Sequence, residues 1–107
     1  MPQSTLLRVA SLDEFRTGTM IEVEHGEQII AVCRVSDTEI LALDGVCPHA
    51  GAPLAQGNLC GDTVICPGHA WEFDCRSGEN TWNSRQKLAT FPVRVEAETV
   101  YVEVAAE

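Results

Sequence analysis

The stretch that decides the fold is "CPHAGAPLAQGNLCGDTVICPGH", residues 47–69. It holds two of the chain's three histidines and three of its five cysteines. Each histidine follows a Cys-Pro step: Cys47-Pro48-His49, then Cys66-Pro67-Gly68-His69. Proline narrows the backbone freedom ahead of each histidine, so each pair belongs on a tight loop. Two such loops brought together make a metal site of two thiols and two imidazoles. The candidate ligands are Cys47, His49, Cys66 and His69.

Outward from this stretch, short alternating apolar runs recur between turn signals. Leu6–Val9 reads as a strand, followed by a single helical turn at Ser11-Leu12-Asp13-Glu14. Met20–Glu24 alternates and stops at His25-Gly26. Gln28–Val35 (QIIAVCRV) is β-branched and long enough for a buried strand, and Ser36-Asp37-Thr38 turns the chain into Glu39–Leu43. Thr63–Ile65 and Trp71–Phe73 flank the second Cys-Pro step, and Arg76-Ser77-Gly78-Glu79 is a turn. Valines alternate with polar residues in Val93–Val95 and Val100–Val104, a hairpin around Ala97-Glu98. No segment sustains a helical period, so the chain reads as all-β. Residues 44–62, rich in Gly, Pro and Asn, read as an irregular loop, and a loop that long in a compact domain is usually functional.

At 107 residues the chain is expected to form one domain. Sixteen acidic against seven basic residues give a net charge of −9, which argues against nucleic acid and anionic membranes as partners. No segment approaches the ~18 apolar residues of a membrane span. The N-terminus, MPQSTLLRVA, lacks the features of a signal peptide. An odd cysteine count, with three cysteines crowded into one loop region, favours metal binding in a reducing compartment over a secreted disulfide framework. A cytoplasmic protein is expected.

Two Cys and two His form a zinc ligand set, but zinc fingers group Cys with Cys and place His with His on a helix. Here each half-site is mixed. Thiolates also hold iron–sulfur clusters, and two His replace two Cys on one iron of the Rieske [2Fe–2S] centre. The pattern C-x-H-x₁₆-C-x₂-H closely resembles the Rieske motif, over nearly the whole chain. The resemblance implies that Cys47 and Cys66 hold an inner iron, and His49 and His69 an outer iron near the surface. It implies an antiparallel β-sandwich base with a small two-loop cluster-binding subdomain, about residues 44–75, inserted in a single domain, 1–107. It also implies that backbone N–H groups around Ala50, Gly51 and Gly68 to Ala70 bond the cluster sulfurs.

High-potential members of respiratory complexes carry a further Cys in each loop, joined as a disulfide. Ala52 and Gly68 stand at those positions. A Ser and a Tyr whose hydroxyls reach the cluster are matched here by Trp71 and Phe73. Fewer donors stabilise the reduced state less, so a low potential is expected. Only His25 remains for a mononuclear iron site, and no Gly-rich fingerprint for flavin or nicotinamide is present. The expectation is therefore a ferredoxin without a substrate site of its own. It would pass single electrons from a flavoprotein reductase to the terminal component of an aromatic-ring oxygenase system, its acidic surface meeting basic patches. The alternative is the Rieske-like small subunit of an assimilatory NAD(P)H nitrite reductase. Cys33 reads as a buried apolar residue, Cys60 and Cys75 as packing near the cluster loops, and His25 as surface. Trp71 and Phe73 are expected beneath the cluster, and Trp82 either in the core or exposed for docking.

Overall fold

A computed structural model describes residues 4–47, 51–67, 71–83 and 85–105. The strands are β1 (Ser4–Ser11), β2 (Met20–His25), β3 (Gln28–Arg34), β4 (Ile40–Asp44) and β5 (Asn58–Cys60). They continue with β6 (Thr63–Ile65), β7 (Glu72–Asp74), β8 (Thr90–Phe91), β9 (Val93–Glu96) and β10 (Thr99–Ala105). They form three antiparallel sheets, ordered β1-β10-β9, β2-β3-β4-β8 and β5-β6-β7. The only helical pieces among the described residues are 3₁₀ turns at Leu12–Glu14 and Leu54–Gln56. No helix there is long and apolar enough to cross a membrane.

β3 explains the arrangement. Side chains alternate across a strand, yet Ile30, Ala31, Val32 and Cys33 are all buried. Ile30 and Val32 pack with Phe15, Ala42, Val100, Val102 and Val104 in the core shared with the β1-β10-β9 sheet. Ala31 and Cys33 face a second core with Leu43, Leu54, Val64, Phe73 and Leu88, which belongs to the cysteine-bearing end. The middle sheet is thus covered on both faces. That is why its sequence is a near-continuous apolar run rather than an alternating one.

The expected strands appear close to their read boundaries, and the expected helical turn is the first 3₁₀ turn. There the Glu14 carboxylate accepts hydrogen bonds from the Ser11 N–H and hydroxyl, at 3.2 and 2.6 Å. Residues 44–62 differ from expectation. They contain the second 3₁₀ turn and β5, which pairs with β6 from Asn58↔Ile65 to Cys60↔Thr63. This pairing leaves Gly61-Asp62 as a two-residue turn with Gly61 at φ 61°, a hairpin signal that a loop-like composition hid. β8 has no signal in the sequence. Two residues long, it exists because β4 offers Ala42 and Leu43 as partners for Phe91 and Thr90.

Candidate metal centre

The two Cys-Pro steps occupy equivalent places on two hairpins. In the first, Val46 bridges Pro53, and the Cys47 N–H donates to the Ala52 carbonyl at 2.9 Å. In the second, Ile65 pairs with Glu72, and the Cys66 N–H donates to the Trp71 carbonyl at 2.8 Å. Each cysteine is therefore the last paired residue before a four-residue loop, 48–51 or 67–70. Both thiols are buried, at 0% and 2% exposure, in the same apolar core on the outer face of the middle sheet.

His49 and His69, read as the other two ligands, lie outside the described residues, as do Ala50 and Gly68 to Ala70. Their positions in the sequence place them on the same two loops. Gly51 is described, and its N–H donates to the Cys47 carbonyl at 2.8 Å. It therefore closes its own loop, and the other expected donors lie outside the described residues.

The hairpins hang on different supports. The first is tied to the middle sheet through Gly45 N–H to Ile29 C=O (2.8 Å) and Leu54 N–H to Gly45 C=O (2.9 Å). The second is the outer end of the β5-β6-β7 sheet. Gly57 brings the two together: a Cβ there would lie 1.9 Å from the Ile65 carbonyl oxygen, one residue before Cys66. Only glycine permits that approach.

Residues 75 and 76 fasten this end to the base. Cys75 is buried and its thiol is hydrogen-bonded to that of Cys33 on β3. That bond, and then burial, push the Cys33 thiol far above its ordinary pKa. Arg76 pairs with Asp62 of the β5–β6 turn and with Glu39, just before β4. Both pairs are half-exposed, so they contribute little stability each, but they join the two parts across the surface. Cys60 is exposed while Cys75 is buried, which separates two cysteines that the sequence treats alike. The contact between Cys33 and Cys75, 42 positions apart, had no sequence signal.

Phe73 is fully buried in the cluster-side core, with Trp71 packed against it at 6.4 Å between ring centroids. Neither side chain offers a hydroxyl. Trp82 is exposed and meets Trp71 edge-on at 6.3 Å. His25, read as surface, is half-buried on β2.

The donor chemistry fits a two-iron, two-sulfide group with chemically different ends. Two thiols are sunk in an apolar core, where exclusion of water suits sulfur-bound iron. Their loops each carry one histidine.

The family model for the Rieske [2Fe-2S] domain matches residues 5–92. The ferredoxin component of biphenyl 2,3-dioxygenase from Rhodococcus jostii is 32% identical over 100 residues, which cover 92% of each chain. A solved complex of reduced oxygenase and oxidized ferredoxin in carbazole 1,9a-dioxygenase contains a chain 33% identical to this one. That match covers 90% of this chain and 99% of the other, with a TM-score of 0.82. A structure described as an NADH-dependent nitrite reductase small subunit from Mycobacterium tuberculosis has a TM-score of 0.86 over the whole chain. Its identity is 21%, so it shows the fold alone. In some other relatives the match spans only a small part of a longer chain.

Proposed function

As the chain belongs to the Rieske [2Fe-2S] family, we propose that it is a cytoplasmic, low-potential ferredoxin of a multicomponent oxygenase. It takes single electrons from a flavoprotein reductase and delivers them to a terminal oxygenase acting on an aromatic-ring substrate. Cys47, His49, Cys66 and His69 are the cluster ligands, and residues 1–107 act as a single domain. When bound, the cluster supplies one-electron redox chemistry.

The observation that carries this reading is the matched closure of the two hairpins, which buries Cys47 and Cys66 at equivalent positions in one core. The thiols are pre-placed by backbone hydrogen bonds, so binding orders little extra chain. Trp71 and Phe73 exclude water beside the second loop and donate no hydroxyl hydrogen bond. That favours a potential towards the lower end of the ≈ −150 to +300 mV range of Rieske centres. The near-full overlap with the biphenyl ferredoxin component, rather than with a fragment of an oxygenase, supports a carrier without substrate chemistry of its own.

The test is anaerobic purification followed by metal and sulfide analysis, EPR of the reduced protein and a coupled assay. Two irons and two labile sulfides per chain, a Rieske-type EPR signal and reductase-dependent oxygenase turnover are expected. A colourless protein holding zinc without sulfide would overturn the cluster assignment. Tight co-purification with a sirohaem subunit, without oxygenase turnover, would overturn the shuttle role.

A further inference from the structure

Trp82 is 63% exposed, the most exposed large apolar side chain among the described residues. Its backbone is nonetheless firmly held. Asn80, only 4% exposed, accepts at Oδ1 from the N–H groups of Trp82 (2.9 Å) and Asn83 (3.0 Å). The Asn80 N–H donates to the Gln86 carbonyl at 2.8 Å, and the Gln86 N–H to the Asn83 carbonyl at 3.0 Å. On the other side, the Thr81 N–H donates to the Glu72 carbonyl at 3.0 Å. The indole then rests edge-on against Trp71, at 66° between ring planes, and the Trp71 carbonyl closes the Cys66 loop. A large apolar ring is thus displayed in a set orientation beside the second cysteine hairpin.

Two cations share its loop. Arg85 and Lys87, on the same loop, are exposed and have no ion-pair partner among the described residues. Arg8, Arg76 and Arg94 each face a carboxylate. Two exposed cations thus share the loop of the exposed indole, with Glu79 in a backbone bridge to Lys87 and the Glu72 carboxylate beside Thr81. The other exposed large apolar side chains, Leu6 (38%) and Val95 (46%), lie on β1 and β9 in the sheet beyond the base core.

We propose that Trp82 is the anchor by which this protein docks its terminal oxygenase. Its ring enters an apolar recess on the oxygenase, whose carboxylates face Arg85 and Lys87. The inference rests on the electron-carrier reading and names the surface through which it acts. Trp and Arg are the residues most enriched among dominant interface contacts, and a ring already held in place loses little freedom on binding. A second copy of this chain is a poorer occupant, because it would bring the same cations and the same net negative charge.

The experiment uses the cluster-loaded full chain, chemically reduced so that no reductase is needed. The probes are the oxygenase components of the carbazole 1,9a- and biphenyl 2,3-dioxygenase systems. Turnover is measured against ferredoxin concentration for wild type, Trp82→Ala, Trp82→Phe, Arg85→Glu/Lys87→Glu and the remote control Val95→Ala. Trp82→Ala is expected to raise the KM for ferredoxin about tenfold or more. Its kcat, EPR spectrum and reduction potential should stay unchanged. Trp82→Phe should recover most of the loss, the charge reversal should raise KM, and Val95→Ala should match wild type. An unchanged KM in Trp82→Ala, whether or not its melting temperature falls, overturns the anchor. So does a raised KM accompanied by an altered spectrum or potential, which marks a structural role. If wild type itself drives neither oxygenase, the electron-carrier reading falls, and the anchor with it.

Discussion

Hairpins at the two ends of this molecule solve opposite problems. At the far end, β9 and β10 are joined by two residues, Ala97 and Glu98, both with positive φ (50° and 64°). Such a turn matches the twist of the strands but favours Asn-Gly, and neither residue present suits it. At the cysteine end, the two loops span four residues each, closed by Cys47 N–H to Ala52 C=O and Cys66 N–H to Trp71 C=O. Each of these loops carries one histidine between its paired positions. The far end can therefore be improved without touching function. On the proposed ligand set, the cysteine end must keep the histidine that each loop carries.

The largest test of that contrast removes a thiol. Cys47→Ala and Cys66→Ala should each abolish iron and sulfide incorporation, since on the proposed ligand set each leaves a two-iron site with three protein ligands. Cys60→Ala, on an exposed strand end, should keep full iron and shift stability by no more than about 0.5 kcal/mol. Substantial iron in either of the first two variants, read by metal analysis, would remove that cysteine from the ligand set.

Gly57→Ala comes next. Its Cβ would sit 1.9 Å from the Ile65 carbonyl oxygen, so backbone must move beside Cys66. A loss of about 3 kcal/mol is expected, with reduced cluster content. A denaturation midpoint equal to wild type would show that the two hairpins are less tightly coupled than their contact implies.

The junction between the two ends can be read through pH. The Cys33 thiol stays protonated in the folded chain, held by its hydrogen bond to Cys75 and by burial. In the unfolded chain it ionises near the ordinary value of about 8.5. Its contribution is therefore complete below that pH and is lost as pH rises above it, because the unfolded state then binds fewer protons. Between pH 9 and 10, wild type should lose up to about 1.4 kcal/mol more stability than Cys33→Ala does. Parallel denaturation curves across that range would contradict the buried thiol pair.

The smallest effect belongs to the far turn. Replacing Ala97-Glu98 with Asn-Gly should relieve the positive-φ strain and stabilise the fold by about 1 kcal/mol. Iron content and turnover should not change. A gain in stability accompanied by loss of turnover would show that the far end is not independent of the cysteine end.

The local readings were legible because their causes are local. Alternation gave β2 and the β9–β10 hairpin, since side-chain period follows from strand geometry, while a β-branched apolar run and the turn after it gave β3 and β4. The spacing of Cys47, His49, Cys66 and His69 gave the family for the same reason: ligands on tight loops need few intervening residues. Where composition and pairing disagreed, composition misled, as at Gly61-Asp62, where a hairpin turn was absorbed into an expected loop.

What the sequence determined by itself was the all-β class, the paired Cys-Pro loops and the chemistry their residues can support. Tertiary structure alone decided which face of β3 each residue serves, and that Cys33 meets Cys75. It also decided that Cys60 is exposed while Cys75 is buried, that Gly57 is pressed against Ile65, and that Trp82 stands out beside Trp71. These outcomes depend on which sheet lies against which, and so on contacts between residues far apart in the chain. No window of neighbouring residues encodes them.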